Sequence, residues 1–242
     1  MIRYVRYGIR KFWATFTLLS IELLITLVSF FSALLLFVFL IRMVFLERRQ
    51  NFDEGAFAFM RRLVSNVNTG IMESFSLLGT HYFLIPANLA LVCYFFFIRK
   101  HRWYSIRVPV IALSSMFMMF LLKLIFQRPR PLMPLLEEAR GLSFPSGHAT
   151  MSSSFYGLLI YMIYKNEKIG TLTKLVAISA LVLLIVFIGA SRVYLRVHYA
   201  SDVLAGFCLG FMWLLLSIWI LKKIEIYSSK TVVVTPAPVN NS

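Results

Sequence analysis

The chain has 242 residues, of which 60% are hydrophobic and 14% charged, and it carries a formal net charge of +15. Soluble domains run at roughly 45–50% apolar and about 25% charged residues, so this composition excludes an ordinary soluble fold, whose interior could not hide so much apolar surface. A basic balance in a soluble chain would suggest nucleic acid, but here Lys and Arg cluster at the ends of apolar segments and no aromatic-basic nucleic-acid module accompanies them.

A membrane-spanning helix needs about 20 apolar residues. Six windows of that kind follow one another along the chain and predict an all-α integral membrane bundle of six transmembrane helices. The first lies within residues 12–45, centred on Leu23 to Ile41. That stretch is too long for one upright span, so the part before Leu23, with Glu22, reads as an interfacial lead-in or a tilted extension. It is also too long for a signal-peptide core and lacks a small-residue cleavage site, so it reads as a retained anchor. Residues 47–80 form an amphipathic segment. Within it Phe52, Ala56, Phe59, Met60, Leu63, Val64, Val67, Ile71 and Phe75 recur at one-sided helical spacing, which predicts a helix lying on the outer membrane surface or packed on the spans.

The remaining spans fall near 82–98, 106–126, 149–164, 172–190 and 203–221. Residues 1–222 read as one membrane domain, and the polar tail over 223–242, with Pro236 and Pro238, reads as disordered. Alternating the loops puts 14 Lys and Arg residues on the N-terminal side and 11 opposite, which favours both termini inside. The cysteines, Cys93 and Cys208, lie inside apolar segments and form no disulfide framework.

Three polar clusters stand on the two outer loops that flank spans three to six: "KLIFQRPRP" from Lys123 to Pro131, "PSGH" from Pro145 to His148, and "SRVYLRVHYASD" from Ser191 to Asp202. Pro129 and Pro131 force an extended path that lets Arg130 turn back toward Lys123. Arg192 arrives from the end of the fifth span, so three cations can surround one dianion, the guanidinium groups with paired donors. A helix start at residues 145–147 adds unpaired N–H groups and the positive end of the helix dipole, and Gly147 permits close approach. His198 and Asp202 are four residues apart and share a helical face, so the carboxylate can fix the imidazole tautomer and leave the other nitrogen free to attack. His198 is therefore the candidate nucleophile, and His148, with no carboxylate in its own cluster, the candidate acid and base. Phosphoryl transfer to imidazole needs positioning and charge compensation, which the cations supply without a metal. Arg128 reads as a snorkelling anchor, His81 and His101 as interfacial residues, and Ser152, Ser153 and Ser154 as small helix-packing residues.

The three clusters resemble the signature of the type-2 phosphatidic acid phosphatase family. That pattern is Lys, six residues, Arg-Pro; then Pro-Ser-Gly-His; then Ser-Arg, five residues, His, three residues, Asp. Every signature position is present between Lys123 and Asp202. The resemblance implies phosphate binding by Lys123, Arg130, Ser146, Gly147 and Arg192, with His148 as acid, His198 as phosphohistidine nucleophile and Asp202 as its orienter. It also implies a six-span bundle, sensitivity to vanadate, and no metal or other cofactor. The stretch "MESFSLLGTHYFLIPANLAL" is similar to the corresponding part of bacterial phospholipid phosphatases of the phosphatidylglycerophosphatase B type. Arg196 departs from the pattern, since many bacterial relatives carry a small residue such as glycine there; the extra cation favours a diphosphate.

The resulting expectation is an integral membrane phosphatase acting at the extracytoplasmic face of a bacterial cytoplasmic membrane. Its substrates would be phosphatidylglycerophosphate, phosphatidic acid or undecaprenyl diphosphate. Its partners would be that lipid and the bilayer, with no nucleic acid and no obligatory protein partner. A lipid phosphotransferase would share the covalent intermediate and differ in its acceptor. An anion transporter would place its cations near the bilayer midplane, whereas here they fall at span ends. A soluble vanadium-dependent haloperoxidase shares much of the signature but not the six apolar spans.

Overall fold

The computed structural model describes the backbone of residues 2–136 and 141–234, and the side chains of 21–136 and 141–228. The described residues form eight α-helices and no strand: α1 (Ile2–Ile41), α2 (Asn51–Arg61), α3 (Asn66–Leu78), α4 (His81–Cys93), α5 (Arg102–Phe126), α6 (Gly147–Lys165), α7 (Thr171–Tyr194) and α8 (Ala200–Val234). Single π-helical turns extend α1 over Arg42–Leu46 and α4 over Tyr94–Ile98.

Among the described residues, five segments are long and apolar enough to cross a membrane: Ile21–Leu46, His81–Ile98, Arg102–Phe126, Thr171–Tyr194 and Ala200–Ser228. The expected fourth span, α6, is not among them. It packs against α5, α7 and α8, and it buries Thr150, Ser152, Ser153 and Ser154. Neighbouring helices rather than lipid surround those residues, so they are compatible with membrane depth but lower the apolarity of the segment. Ser153 and Ser154 donate from Oγ to the carbonyls of Phe207 and Gly210 on α8, each at 3.3 Å. The glycines of α8 let the two helices approach closely. A Cβ at Gly206 would lie 2.7 Å from the Ser146 carbonyl oxygen, and one at Gly210 would lie 2.4 Å from that of Thr150.

Two expectations are corrected. The amphipathic segment is two helices, because Ser65 accepts from the Asn68 amide at 3.2 Å and caps a fresh start at α3. The paired helices pack on the ends of α7 and α8, with Ala56 and Met60 against Val193 and Val203 and Phe75 stacked on Phe187 at 4.8 Å; Phe52, Phe59, Val67 and Ile71 face outward. The tail assigned to 223–242 is helical as far as Val234, since no glycine or proline follows Gly210 until Pro236. Residues 235–242, Arg140 and the side chains of Arg3, Arg6, Arg10 and Lys11 lie outside the described residues. Glu22, read as interfacial, accepts from Lys165 in the last turn of α6 at 2.9 Å.

The C-terminal ends of α5 and α7 and the N-terminal ends of α6 and α8 meet at one end of the bundle. α5 stops where Gln127 takes the left-handed conformation, φ 45°, and Pro129 disfavours helix at the residue before it. α7 stops similarly: Arg196 has φ 54°, and the amides of Val197 and His198 both donate to the Arg192 carbonyl, at 3.1 and 3.2 Å. Phe144 is fully buried among Phe37, Phe45 and Phe126, with ring centroids 6.1, 5.2 and 5.1 Å away. This apolar plug fixes the loop that leads into α6.

Candidate active site

All eight candidate residues gather at this end of the bundle. The Lys123 ammonium, in the last turn of α5, donates to the carbonyls of Leu142 and Ser143 at 2.6 and 3.4 Å. Arg130 reaches back as expected and donates to the carbonyls of Gly141 and Val197 at 3.2 and 3.0 Å. These two cations tie the loop before α6 to the loop before α8. Ser146 is the residue preceding the first turn of α6, and its amide donates to the Asp202 carbonyl at 3.0 Å. Gly147 and His148 open that helix, and the backbone of Gly79, between α3 and α4, lies against the His148 ring. Arg192 donates from Nη1 to Ser76 Oγ on α3.

Three of these side chains hold buried polar atoms without a hydrogen-bond partner: Ser146 Oγ, His148 Nε2 and Arg192 Nε. Buried polar groups are nearly always paired, so orphans at the start of α6 and the end of α7 mark a place built for a polar ligand. His198 and Arg130 lie within electrostatic reach of His148, and Lys123 and Arg130 within reach of His198. The ligand such a set fits is a tetrahedral oxyanion, met by cations, helix-start N–H groups and two imidazoles.

The PAP2 superfamily profile matches residues 104–226, half of the chain. Phosphatidylglycerophosphatase B of Bacillus subtilis (strain 168) is 30% identical over 186 residues, 75% of this chain and 89% of that protein. The chain belongs to the PAP2 superfamily. Undecaprenyl-diphosphatase BcrC of the same organism is 26% identical over 148 residues, 57% of this chain and 69% of that protein. Among solved structures, a transmembrane PAP2 type phosphatidylglycerolphosphate phosphatase from Bacillus subtilis matches with a TM-score of 0.74 at 26% identity, over 81% of this chain and 97% of that one. Aquifex aeolicus LpxE matches in fold with a TM-score of 0.54 at 24% identity, over 67% of this chain and 92% of that one.

Several residues of this PAP2 site escape the sequence reading. Arg128, expected to be a lipid anchor, points inward and donates to Asp202 Oδ1 at 2.6 Å, Ser201 Oγ at 2.8 Å and Asp53 Oδ2 at 2.8 Å. Its guanidinium also stacks 3.9 Å from the Tyr199 ring centroid. Asp53, on α2 and outside the matched region, accepts from the Ser201 amide at 2.9 Å and the Ser201 hydroxyl at 2.7 Å. One buried arginine thus joins two buried carboxylates, the arrangement in which each charge needs the others. The proline after Arg128 and the cluster of cations were the only sequence signals, and neither names Asp53 as the partner. Asp202 also takes the Tyr199 amide at 3.0 Å. It stands 3.6 Å from His198 Nδ1, beyond a direct hydrogen bond.

Burial pushes the His198 imidazole down to about 4 from 6.5, with Asp202 working in the opposite direction. The ring therefore keeps its lone pair through the mildly acidic range and loses it only below. The acid limb of kcat/KM, corrected for the substrate's own ionisation, is expected near pH 4 rather than 6.5. A residual limb at 6.5 would show that the imidazole is hydrated like a free one. The same depression lets the unfolded chain bind the extra proton first, so stability falls as pH drops from about 6.5 toward 4.

Proposed function

We propose that this PAP2 protein is an integral membrane phosphatase that removes the terminal phosphate of a lipid phosphate or diphosphate through a phosphohistidine on His198. The observation that carries the reading is the trio of unpartnered buried atoms on Ser146, His148 and Arg192, set beside an imidazole whose orienting carboxylate is already held in place.

His198 Nε2 attacks phosphorus in line, the bond from phosphorus to the lipid oxygen breaks, and that oxygen takes a proton from His148. Water, deprotonated by His148, then breaks the P–N bond and releases inorganic phosphate. Lys123, Arg130 and Arg192, with the N–H groups at the start of α6, compensate the charge on the equatorial oxygens in a site shielded from bulk water. α6 is the fourth of six crossings, sheltered by α5, α7 and α8. Both termini lie inside and the site opens at the extracytoplasmic face, where the lipid headgroup is presented.

The names of the two curated relatives point to phosphatidylglycerophosphate and undecaprenyl diphosphate as first substrates to try. Arg196, partly exposed between Arg192 and His198, supports a diphosphate. The test is phosphate release in detergent, with a metal chelator present, from phosphatidylglycerophosphate, phosphatidic acid and undecaprenyl diphosphate. Chelator-resistant release from at least one lipid is expected, and its preference names the headgroup. Release from none, or release only with added metal, would overturn the reading; a product that appears only with an alcohol acceptor would make the protein a phosphotransferase.

A further inference from the structure

Ser143 stands outside the three polar clusters, two residues before Pro145, yet it is fully buried at their centre. Its amide donates to the Arg128 carbonyl at 2.8 Å, and its own carbonyl lies 3.4 Å from the Lys123 ammonium. The side chain is therefore aimed by contacts on both sides of the residue. Its hydroxyl donates to Asp202 Oδ2 and lies 3.2 Å from His198 Nδ1.

We infer that Ser143 is a positioning residue for the nucleophile, its hydroxyl relaying the Asp202 carboxylate to Nδ1 of His198. An ionised carboxylate paired with Arg128 only accepts hydrogen bonds, so the serine O–H points to Asp202 and its oxygen offers a lone pair to the imidazole. Nδ1 then carries the ring proton and Nε2 keeps the lone pair that attacks phosphorus. When Nε2 bonds to phosphorus, the positive charge on the ring faces the serine oxygen and, through it, the carboxylate; no proton has to move. The direct path from Nδ1 to Asp202 is 3.6 Å, which leaves the hydroxyl as the link.

This inference rests on His198 as nucleophile, and the experiment separates the two. Ser143→Ala is compared with wild type and His198→Ala for lipid turnover, inhibition by vanadate and inhibition by inorganic phosphate. Partners that fix an imidazole from behind are worth roughly 10–100-fold in metal sites. A kcat loss of that order is expected for Ser143→Ala, with KM changed by less than about twofold. Vanadate accepts a bond from the attacking nitrogen, whereas phosphate is held by the cations. Vanadate inhibition should therefore weaken in step with kcat while phosphate inhibition stays level, a split that a merely structural defect would not produce. If the alanine variant fails to fold, Ser143→Cys keeps the volume with a poor donor, and the same vanadate-to-phosphate ratio decides. Wild-type kcat, or equal weakening of both inhibitors, overturns the relay. Activity surviving in His198→Ala would instead overturn the phosphohistidine reading itself.

Discussion

His198→Ala is expected to lower kcat by at least about 10⁴-fold while leaving a folded protein. In hydrolases that work through a covalent intermediate, deleting the nucleophile costs a factor of this size, and what remains is catalysis by binding and charge compensation alone. The side chain is nearly fully buried and lies 3.2 Å from Ser143 Oγ, so its removal opens a small polar hole and spares the helices. The variant should still bind inorganic phosphate through Lys123, Arg130 and Arg192. Phosphate release and acid-labile labelling of the protein by a radioactive substrate, measured together, check both halves. A kcat within tenfold of wild type would transfer the nucleophile to another group.

The second large effect is expected at Arg128. Its side chain is 12% exposed and sits between Asp53 and Asp202, themselves 2% and 0% exposed. Arg128→Met keeps the length but leaves two buried carboxylates without their shared cation, for which a loss of about 3–5 kcal/mol is typical. Asp202 would also lose the Nη1 donor that holds Oδ1, so activity should fall with stability. Lysine cannot substitute fully, since a single ammonium lacks the two-pronged geometry and the flat face stacked on Tyr199. Thermal unfolding in detergent, beside kcat, measures both consequences. A change under about 1 kcal/mol, the scale of an exposed ion pair, would return Arg128 to the role of a headgroup anchor.

Arg128 also shows where sequence reasoning stops. The motif residues were legible because each carries its own chemistry and a short-range spacing: four residues from His198 to Asp202, a proline-enforced return from Lys123 to Arg130, a helix start at Gly147. The partnership of Arg128 with Asp53 spans 75 residues, from α2 to the loop after α5, and no local periodicity encodes it. Asp53 lies outside the apolar stripe of its segment, and nothing local singles it out. Ser143 was passed over for a related reason, since a lone serine before an apolar residue has no signature until its neighbours in space are known. The break between α2 and α3 was available in principle from Ser65 and Asn68, a capping pair, but a continuous apolar stripe outweighed it. The polarity of α6 was visible, and Ser152, Ser153 and Ser154 were legible as helix-packing residues, but which helices would enclose them was not.

Gly206 and Gly210 make α8 less interchangeable than its composition suggests. By residue type it is a membrane anchor in which any apolar side chain would serve. At these two positions, however, the neighbours of an added methyl group are the backbone carbonyls of Ser146 and Thr150, and a carbonyl cannot swing aside as a rotamer can. The whole helix would have to lift, and with it Asp202, one turn before Gly206, whose carbonyl accepts from the Ser146 amide. Tolerance to substitution along α8 is therefore set by distance from α6 rather than by hydrophobicity. A scan that treats the span as lipid-facing filler would misjudge its two smallest residues most.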